Sequence, residues 1–248
     1  LVGPSQPVAT LTVNGSGSQI AAGSEDGKVY VWNTETGELL RSIAAHTNGA
    51  LGIAFTPHGR LLSGGADNTV KIWSEGETPL KTIGGHGSAV TSVAINPEGN
   101  QVASACGDGK VRAMSIETGK ILWTAEGHQQ PVQSVSYTTD GKAVVSGSWD
   151  NTVRYWSADS GHSLGNIDTG ETLGFVGSVP DGRVLSGGGD NRVTLWTADG
   201  GPVKRFEGQG SWVYSVASNV DYIATGSADG GLRLWDRAEG RMLRVYDG

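Results

Sequence analysis

The chain has 248 residues, which is enough for one large β domain or two ordinary ones. Lys plus Arg total 18 and Asp plus Glu total 25, so the formal net charge is −7. This balance argues against a nucleic acid or an anionic membrane as the main partner, and it favours basic partners or ordinary solubility.

Cysteine and apolar content bear on the compartment. Cys106 is the only cysteine, which excludes an internal disulfide and fits a reducing compartment, so we expect a cytoplasmic (intracellular) location. No window of the sequence approaches the ~18 apolar residues that a membrane-spanning helix needs. We therefore predict no membrane association.

The predicted elements are short strands separated by turn signals, in keeping with 40 glycines that follow no collagen-like period. The first strand runs from Val8 to Val13, and turns such as Glu35-Thr36-Gly37 and Asn96-Pro97-Glu98-Gly99 follow. A central stretch contains four alternating strands, at 132–137, 143–148, 152–156 and 163–167. The last strand spans 242–246, and no amphipathic helix is evident.

One pattern recurs six times along the chain. Its last residue is Trp32, Trp73, Met114, Trp156, Trp196 and Trp235, at spacings of 41, 41, 42, 40 and 39 residues. An aspartate lies six positions before each: Asp26, Asp67, Asp108, Asp150, Asp190 and Asp229. A period near 40 is typical of solenoids and propellers, and the alternation within each unit excludes helical solenoids.

The fold class follows from this repeat. A four-stranded antiparallel sheet buries both faces when sheets pack radially as blades. A β-sandwich would not keep the six aspartates in register with the residues six positions later. We predict an all-β, six-bladed β-propeller of four-stranded antiparallel blades, a single domain over 1–248. The approximate blades are 1–45, 46–85, 86–127, 128–168, 169–208 and 209–248.

The repeat resembles that of the WD-repeat (WD40) family. Gly85-His86 and Gly127-His128 match the Gly-His pair before the first strand, and Trp235-Asp236 matches the closing pair. The resemblance implies a hydrogen-bonded network of His, Ser or Thr, Asp and Trp within a blade. It is complete in two blades: His46, Ser63, Asp67 and Trp73 in blade 2, and His128, Ser146, Asp150 and Trp156 in blade 4. Met114 replaces the Trp in blade 3, and Thr169 and Gln209 replace the His in blades 5 and 6.

The ends of the repeat array leave two alternatives. Strands 8–13 and 242–246 are the first and last of complete blades, so no strand is left over to close a ring by pairing both termini. Either six blades close directly, which we favour, or the ring is open and a partner adds a blade.

Catalytic and metal motifs are weak. Gly161-His162-Ser163-Leu164-Gly165 matches a nucleophile pattern, but that pattern needs a following helix and here lies in a turn. The five histidines show no metal-ligand spacing. We therefore predict no catalytic residue, no metal and no cofactor.

Equivalent positions compared across the six blades show where bulky side chains occur without a repeat role. Immediately before the turn aspartate, five blades have a small or polar residue, whereas blade 4 has Trp149. At the start of the first strand of each blade, the only aromatic residue among the six is Trp212, in blade 6. Two positions on, the residues are Ala9, Gly52, Thr91, Gln133, Gly174 and Tyr214.

The WD40 resemblance places these positions on the top face of a propeller. We predict a partner-binding patch of Trp149, Trp212 and Tyr214, with polar contacts from Gln133, Glu25 and Glu171.

The predicted function is a non-catalytic scaffold or adaptor that binds proteins or peptides through this top face. The alternative is a structural subunit whose propeller ring is completed by a partner-supplied blade. In either case we expect the chain to be a monomer or a subunit of a hetero-complex.

Overall fold

The computed structural model describes residues 3–246. The outermost two residues at each end of the predicted domain therefore lie outside the described residues. Within the described range every regular element is a strand, and the 24 strands form six four-stranded sheets. In each sheet the strands pair antiparallel in chain order. The predicted class, a six-bladed β-propeller of four-stranded antiparallel blades, is confirmed. We call the four strands of a blade a, b, c and d.

The chain divides into two compact units, Leu1–Thr124 and Ala125–Gly248, with three blades in each. The single-domain expectation and direct closure of six blades stay predictions. The strands of unit 1 are as follows: β1 (Val8–Val13), β2 (Gln19–Ser24), β3 (Lys28–Asn33) and β4 (Leu39–Ala44) in blade 1; β5 (Ala50–Phe55), β6 (Leu61–Gly65), β7 (Val70–Trp73) and β8 (Pro79–Ile83) in blade 2; β9 (Val90–Ile95), β10 (Gln101–Cys106), β11 (Val111–Ser115) and β12 (Ile121–Ala125) in blade 3.

Unit 2 repeats this organisation. Its strands are as follows: β13 (Val132–Tyr137), β14 (Ala143–Ser148), β15 (Thr152–Ser157) and β16 (Ser163–Asp168) in blade 4; β17 (Leu173–Ser178), β18 (Val184–Gly188), β19 (Arg192–Trp196) and β20 (Pro202–Glu207) in blade 5; β21 (Val213–Ser218), β22 (Tyr222–Ser227), β23 (Leu232–Asp236) and β24 (Met242–Tyr246) in blade 6.

Within each unit the blades pack face against face. We call the face toward the preceding blade the back and the face toward the following blade the front. Between blades 4 and 5, for example, Val153 and Ile167 on the front of blade 4 pack with Val184 and Trp196 on the back of blade 5. The closing Trp of the repeat therefore contributes its large apolar surface to the layer between blades.

Apolar residues are exposed on the first face of unit 1 and on the last face of unit 2. On the back of blade 1, Val8 is 49% and Leu11 58% exposed, whereas the equivalent Ala50 and Ile53 of blade 2 are buried. On the front of blade 6, Leu232 and Tyr246 are each 46% exposed, whereas the equivalent residues of blade 5, Val193 and Phe206, are fully buried. On these two faces, apolar positions of the repeat are exposed.

A β-bulge recurs at one position in every blade. Where strand a pairs with strand b, the register skips the second residue of strand a: Ala9, Leu51, Thr91, Gln133, Gly174 and Tyr214. The sequence alignment placed Gly52 at this position in blade 2, and the register corrects it to Leu51. Because a bulge redirects a side chain and often borders a functional site, its one aromatic occupant, Tyr214, stands out.

Candidate functional site

The hydrogen-bonded network is complete in blade 2. The indole Nε1 of Trp73 donates to Ser63 Oγ at 2.8 Å, and His46 Nε2 lies 2.7 Å from the same hydroxyl. On its other side, His46 Nδ1 lies 2.8 Å from Asp67 Oδ1. Burial lowers the pKa of His46 from its ordinary value, so the ring is neutral at pH 7 and bridges the hydroxyl and the carboxylate.

Blade 4 contains the same arrangement. Trp156 Nε1 donates to Ser146 Oγ at 2.8 Å, His128 Nε2 lies 2.8 Å from Ser146 Oγ, and His128 Nδ1 lies 2.8 Å from Asp150 Oδ2. Burial also lowers the pKa of His128. The network joins strands b and c to the segment that precedes strand a, and its role is therefore structural.

Blade 3 uses only half of this network. His86 Nε2 lies 2.9 Å from Ser104 Oγ, but Asp108 pairs with Arg112, whose Nη2 lies 2.7 Å from Asp108 Oδ2. His86 Nδ1 is buried without a hydrogen-bond partner among the described residues. Burial, reinforced by the nearby Arg112 cation, lowers the pKa of His86 to about 4.

Blades 1 and 6 stabilise the turn aspartate by other means. In blade 1 the Tyr30 hydroxyl donates to Asp26 Oδ2 at 2.8 Å, a contact that the sequence analysis missed. In blade 6 Arg233 Nη2 donates to Asp229 Oδ2 at 2.6 Å, and Gln209 Nε2 donates to Thr225 Oγ1 at 3.2 Å. Tyr30 and Arg233 each lie four residues after their aspartate, as Lys71 and Arg112 do. This spacing is the sequence pattern from which the two contacts could have been predicted.

In each blade, the start of strand a and the b–c turn lie at the same end. In blade 4, for example, the backbone N–H of Trp149 in the turn donates to the Pro131 carbonyl at 3.1 Å. We call this the b–c end. In unit 2 it contains five of the predicted partner-binding residues: Trp149, Trp212, Tyr214, Gln133 and Glu171. Glu25 occupies the corresponding turn of blade 1 in unit 1, where it is exposed.

The structure brings Trp212 and Tyr214 into contact. Their rings stack with centroids 6.3 Å apart and an interplanar angle of 27°. Tyr214 is 63% exposed, whereas Trp212 is only partly exposed. The indole of Trp212 lies over Gly174 and Gly189 of blade 5, where added Cβ atoms would come within 2.7 Å and 3.2 Å of its ring. Trp212 therefore supports Tyr214 from beneath.

The remaining predicted residues of unit 2 lie at the b–c end of blades 4 and 5. Trp149 is 48% exposed, Gln133 is half-buried, and Glu171 is exposed. Exposed Trp and Tyr side chains are residue types that are enriched in protein-binding surfaces.

Among residues 3–246, no group of three or more His, Cys, Asp or Glu side chains is arranged to hold a metal ion. The same residues include no helix with the length and apolar character of a membrane span.

The WD domain, G-beta repeat family model matches residues 1–33, 37–74, 77–113, 119–157 and 200–236. Residues 158–199, between the last two matches, contain strands a to c of blade 5 and include Thr169 in place of the histidine. The structure nevertheless forms a four-stranded blade there.

Curated relatives share this repeat. The chain is 33% identical over 117 residues to Periodic tryptophan protein 2 homolog of Schizosaccharomyces pombe, covering 44% of this chain and 13% of the relative. It is 34% identical over 120 residues to Nuclear distribution protein PAC1 of Fusarium vanettenii, covering 43% and 27%. It is 34% identical over 107 residues to Apoptotic protease-activating factor 1 of Rattus norvegicus, covering 42% and 9%.

The alignments thus span about a quarter or less of the length of each of these relatives. A protein-interaction scaffold role fits the family. With five matched repeats over most of its length, the chain belongs to the WD40 repeat family.

Proposed function

We propose that this chain is a non-catalytic scaffold or adaptor that binds a protein or peptide through the b–c end of unit 2. The observation that carries the proposal is the exposed ring of Tyr214, held at a bulge and stacked on Trp212. An aromatic side chain whose orientation is already fixed loses little conformational entropy on binding. Tyr and Trp are also the residue types that contribute most at interfaces.

The charged residues indicate which kind of partner the surface would bind. Glu171 supplies an exposed carboxylate at the b–c end of blade 5, and the chain carries a net charge of −7. These charges favour a basic protein or peptide over a nucleic acid or an anionic membrane. An intracellular location, expected from the single cysteine, stays a prediction.

The test compares partner capture by the wild type and by a Trp149→Ala/Tyr214→Ala double variant, with quantitative mass spectrometry of the captured proteins. Both side chains are about half exposed or more, so we expect a Tm within a few degrees of the wild type and a roughly 30-fold or greater loss of capture. The control is Leu164→Ala, which removes an equally exposed apolar side chain from strand β16. Undiminished capture by the double variant would exclude the patch.

A second candidate function rests on the exposed front of blade 6. Leu232 and Tyr246 occupy positions that are buried in blade 5, so a sheet of the same type supplied by a partner would bury them. The chain would then be a structural subunit of a larger assembly. Leu232→Lys/Tyr246→Lys should dissociate such an assembly in size-exclusion chromatography with light scattering. A folded, monodisperse wild-type monomer would favour the adaptor instead.

A further inference from the structure

Blade 5 contains a cavity of about 140 Å³ between its polar network positions. The side chains that line it include Thr169, Ser186, Asp190, Thr194 and Trp196. Ser186 is nearly fully buried, and its Oγ accepts a hydrogen bond from Trp196 Nε1 at 2.8 Å. The cavity therefore has a buried hydroxyl at its base and a carboxylate at its side.

This cavity corresponds to the place of the imidazole ring in blade 4. There His128 bridges Ser146 and Asp150, whose equivalents in blade 5 are Ser186 and Asp190. Thr169 stands at the histidine position, but its hydroxyl lies 2.8 Å and 3.0 Å from the carbonyl oxygens of Asn151 and Glu171. Thr169 therefore makes its hydrogen bonds to the backbone and does not bridge the two groups.

Both groups have hydrogen-bonding capacity left. Ser186 Oγ accepts from Trp196, so its own proton is free to be donated. Asp190 accepts from the backbone N–H of Arg192 at 3.0 Å. The turn aspartates of the other blades each also accept from a side chain, contributed by Tyr30, His46, Arg112, His128 and Arg233. In blade 5 the residue four positions after the aspartate is Thr194, whose side chain carries no cationic or phenolic donor.

We propose that the blade 5 cavity binds a neutral imidazole ring, with its N–H donating to Asp190 and its second nitrogen accepting the Ser186 hydroxyl proton. The size is suitable, because an apolar cavity of about 150 Å³ accommodates benzene and imidazole is a smaller ring. In blade 4 the imidazole meets the Trp156 ring edge to face at 6.0 Å, and Trp196 offers the equivalent ring. Because the Ser186 hydroxyl has a proton to donate, the nitrogen that faces it must carry no proton, and this selects the neutral ring over the cation.

Two sources present this ring: a free imidazole compound, and a histidine side chain of a bound peptide. Glu171 lines the cavity and also belongs to the proposed partner-binding patch. The cavity proposal stands on the blade 5 geometry alone and does not require the patch.

The experiment follows the indole N–H resonance of Trp196 by NMR during titration with imidazole and, separately, with N-acetylhistidine amide. We expect saturable binding on the order of millimolar, as small ligands of this size allow. Binding of imidazole alone would assign the site to a free compound, and binding of both would admit a peptide histidine. The double variant Trp149→Ala/Tyr214→Ala should bind imidazole like the wild type, which separates this test from that of the proposed function.

Variants identify the two contacts. Ser186→Ala and Asp190→Asn should each weaken binding about tenfold, and 1-methylimidazole, which lacks the N–H donor, should bind similarly weakly. Thr169→His should fill the cavity from within, raise the Tm and abolish binding. Absence of saturable binding to the wild type, or equal binding by wild type and Thr169→His, would overturn the proposal.

Discussion

Gly174 of blade 5 and Trp212 of blade 6 are matched in shape: a Cβ added to Gly174 would lie 2.7 Å from Trp212 Nε1. It would also lie 2.9 Å from the backbone carbonyl oxygen of Val213, which cannot move as a flexible side chain would. The indole of Trp212 therefore depends on the missing side chain beneath it.

Gly174→Ala should displace Trp212 and destabilise unit 2 by about 1–3 kcal/mol, measured by chemical denaturation. Gly84→Ala is the matched control, because a Cβ there meets no atom within 4 Å. The control should be neutral or slightly stabilising. Equal stability of the two variants would contradict the packing of Trp212 on blade 5.

The repeat tryptophans and the patch tryptophan should differ sharply in their effect on stability. Trp73 is buried and donates its indole N–H to Ser63, so Trp73→Ala should lower the free energy of unfolding by about 3–5 kcal/mol. Trp149 is 48% exposed, and Trp149→Ala should cost about 0.5 kcal/mol or less. A loss below about 1 kcal/mol for Trp73→Ala would show that its ring is not part of the layer between blades.

Mild acid should destabilise the protein through its buried histidines. The pKa of His86 falls from an ordinary 6.5 to about 4 in the folded chain, so the unfolded chain binds the proton first as the pH falls. The contribution of the neutral His86 ring to the free energy of unfolding is therefore complete above about pH 6.5 and declines toward pH 4. Burial lowers the pKa of His46 and His128 in the same direction.

His86→Gln isolates one contribution to this acid sensitivity. Glutamine already occupies the equivalent position in blade 6, as Gln209. Between pH 7 and pH 5 the variant should lose about 1–2 kcal/mol less of its free energy of unfolding than the wild type does. Urea denaturation at the two pH values measures the difference, and identical losses would mean that His86 is not buried in the neutral form.

The fold class was predictable because the repeat is long, periodic and consistent at every level. The alternation of apolar and polar residues predicted the strands, and the glycine-rich turns predicted where the strands end. The spacing of aspartate and tryptophan predicted the six blades. The blade 2 residue equivalent to Tyr214 was assigned to Gly52 instead of Leu51, since the small residues Ala50 and Gly52 carry no pattern that fixes the register.

The candidate site was harder to predict than the fold. Trp149, Trp212 and Tyr214 stood out as the aromatic residues at positions that are not aromatic in the other blades, but only coordinates separate a side chain that packs from one that is exposed. Trp212 proves to be partly buried on Gly174. The cavity of blade 5 depends on the direction of the Thr169 hydroxyl, which the sequence does not specify.

Site-specific photocrosslinking at position 214 tests the central claim of a partner-binding b–c end most directly. A chain in which benzoylphenylalanine replaces Tyr214, and which is otherwise unchanged, is irradiated with its captured partner, and the crosslinked peptide is identified by mass spectrometry. The same residue at position 164, also exposed, is the control. We predict a saturable crosslink to one defined partner segment from position 214 and little from 164. Crosslinking from 164 alone, or from neither position while the partner stays bound, would contradict the account.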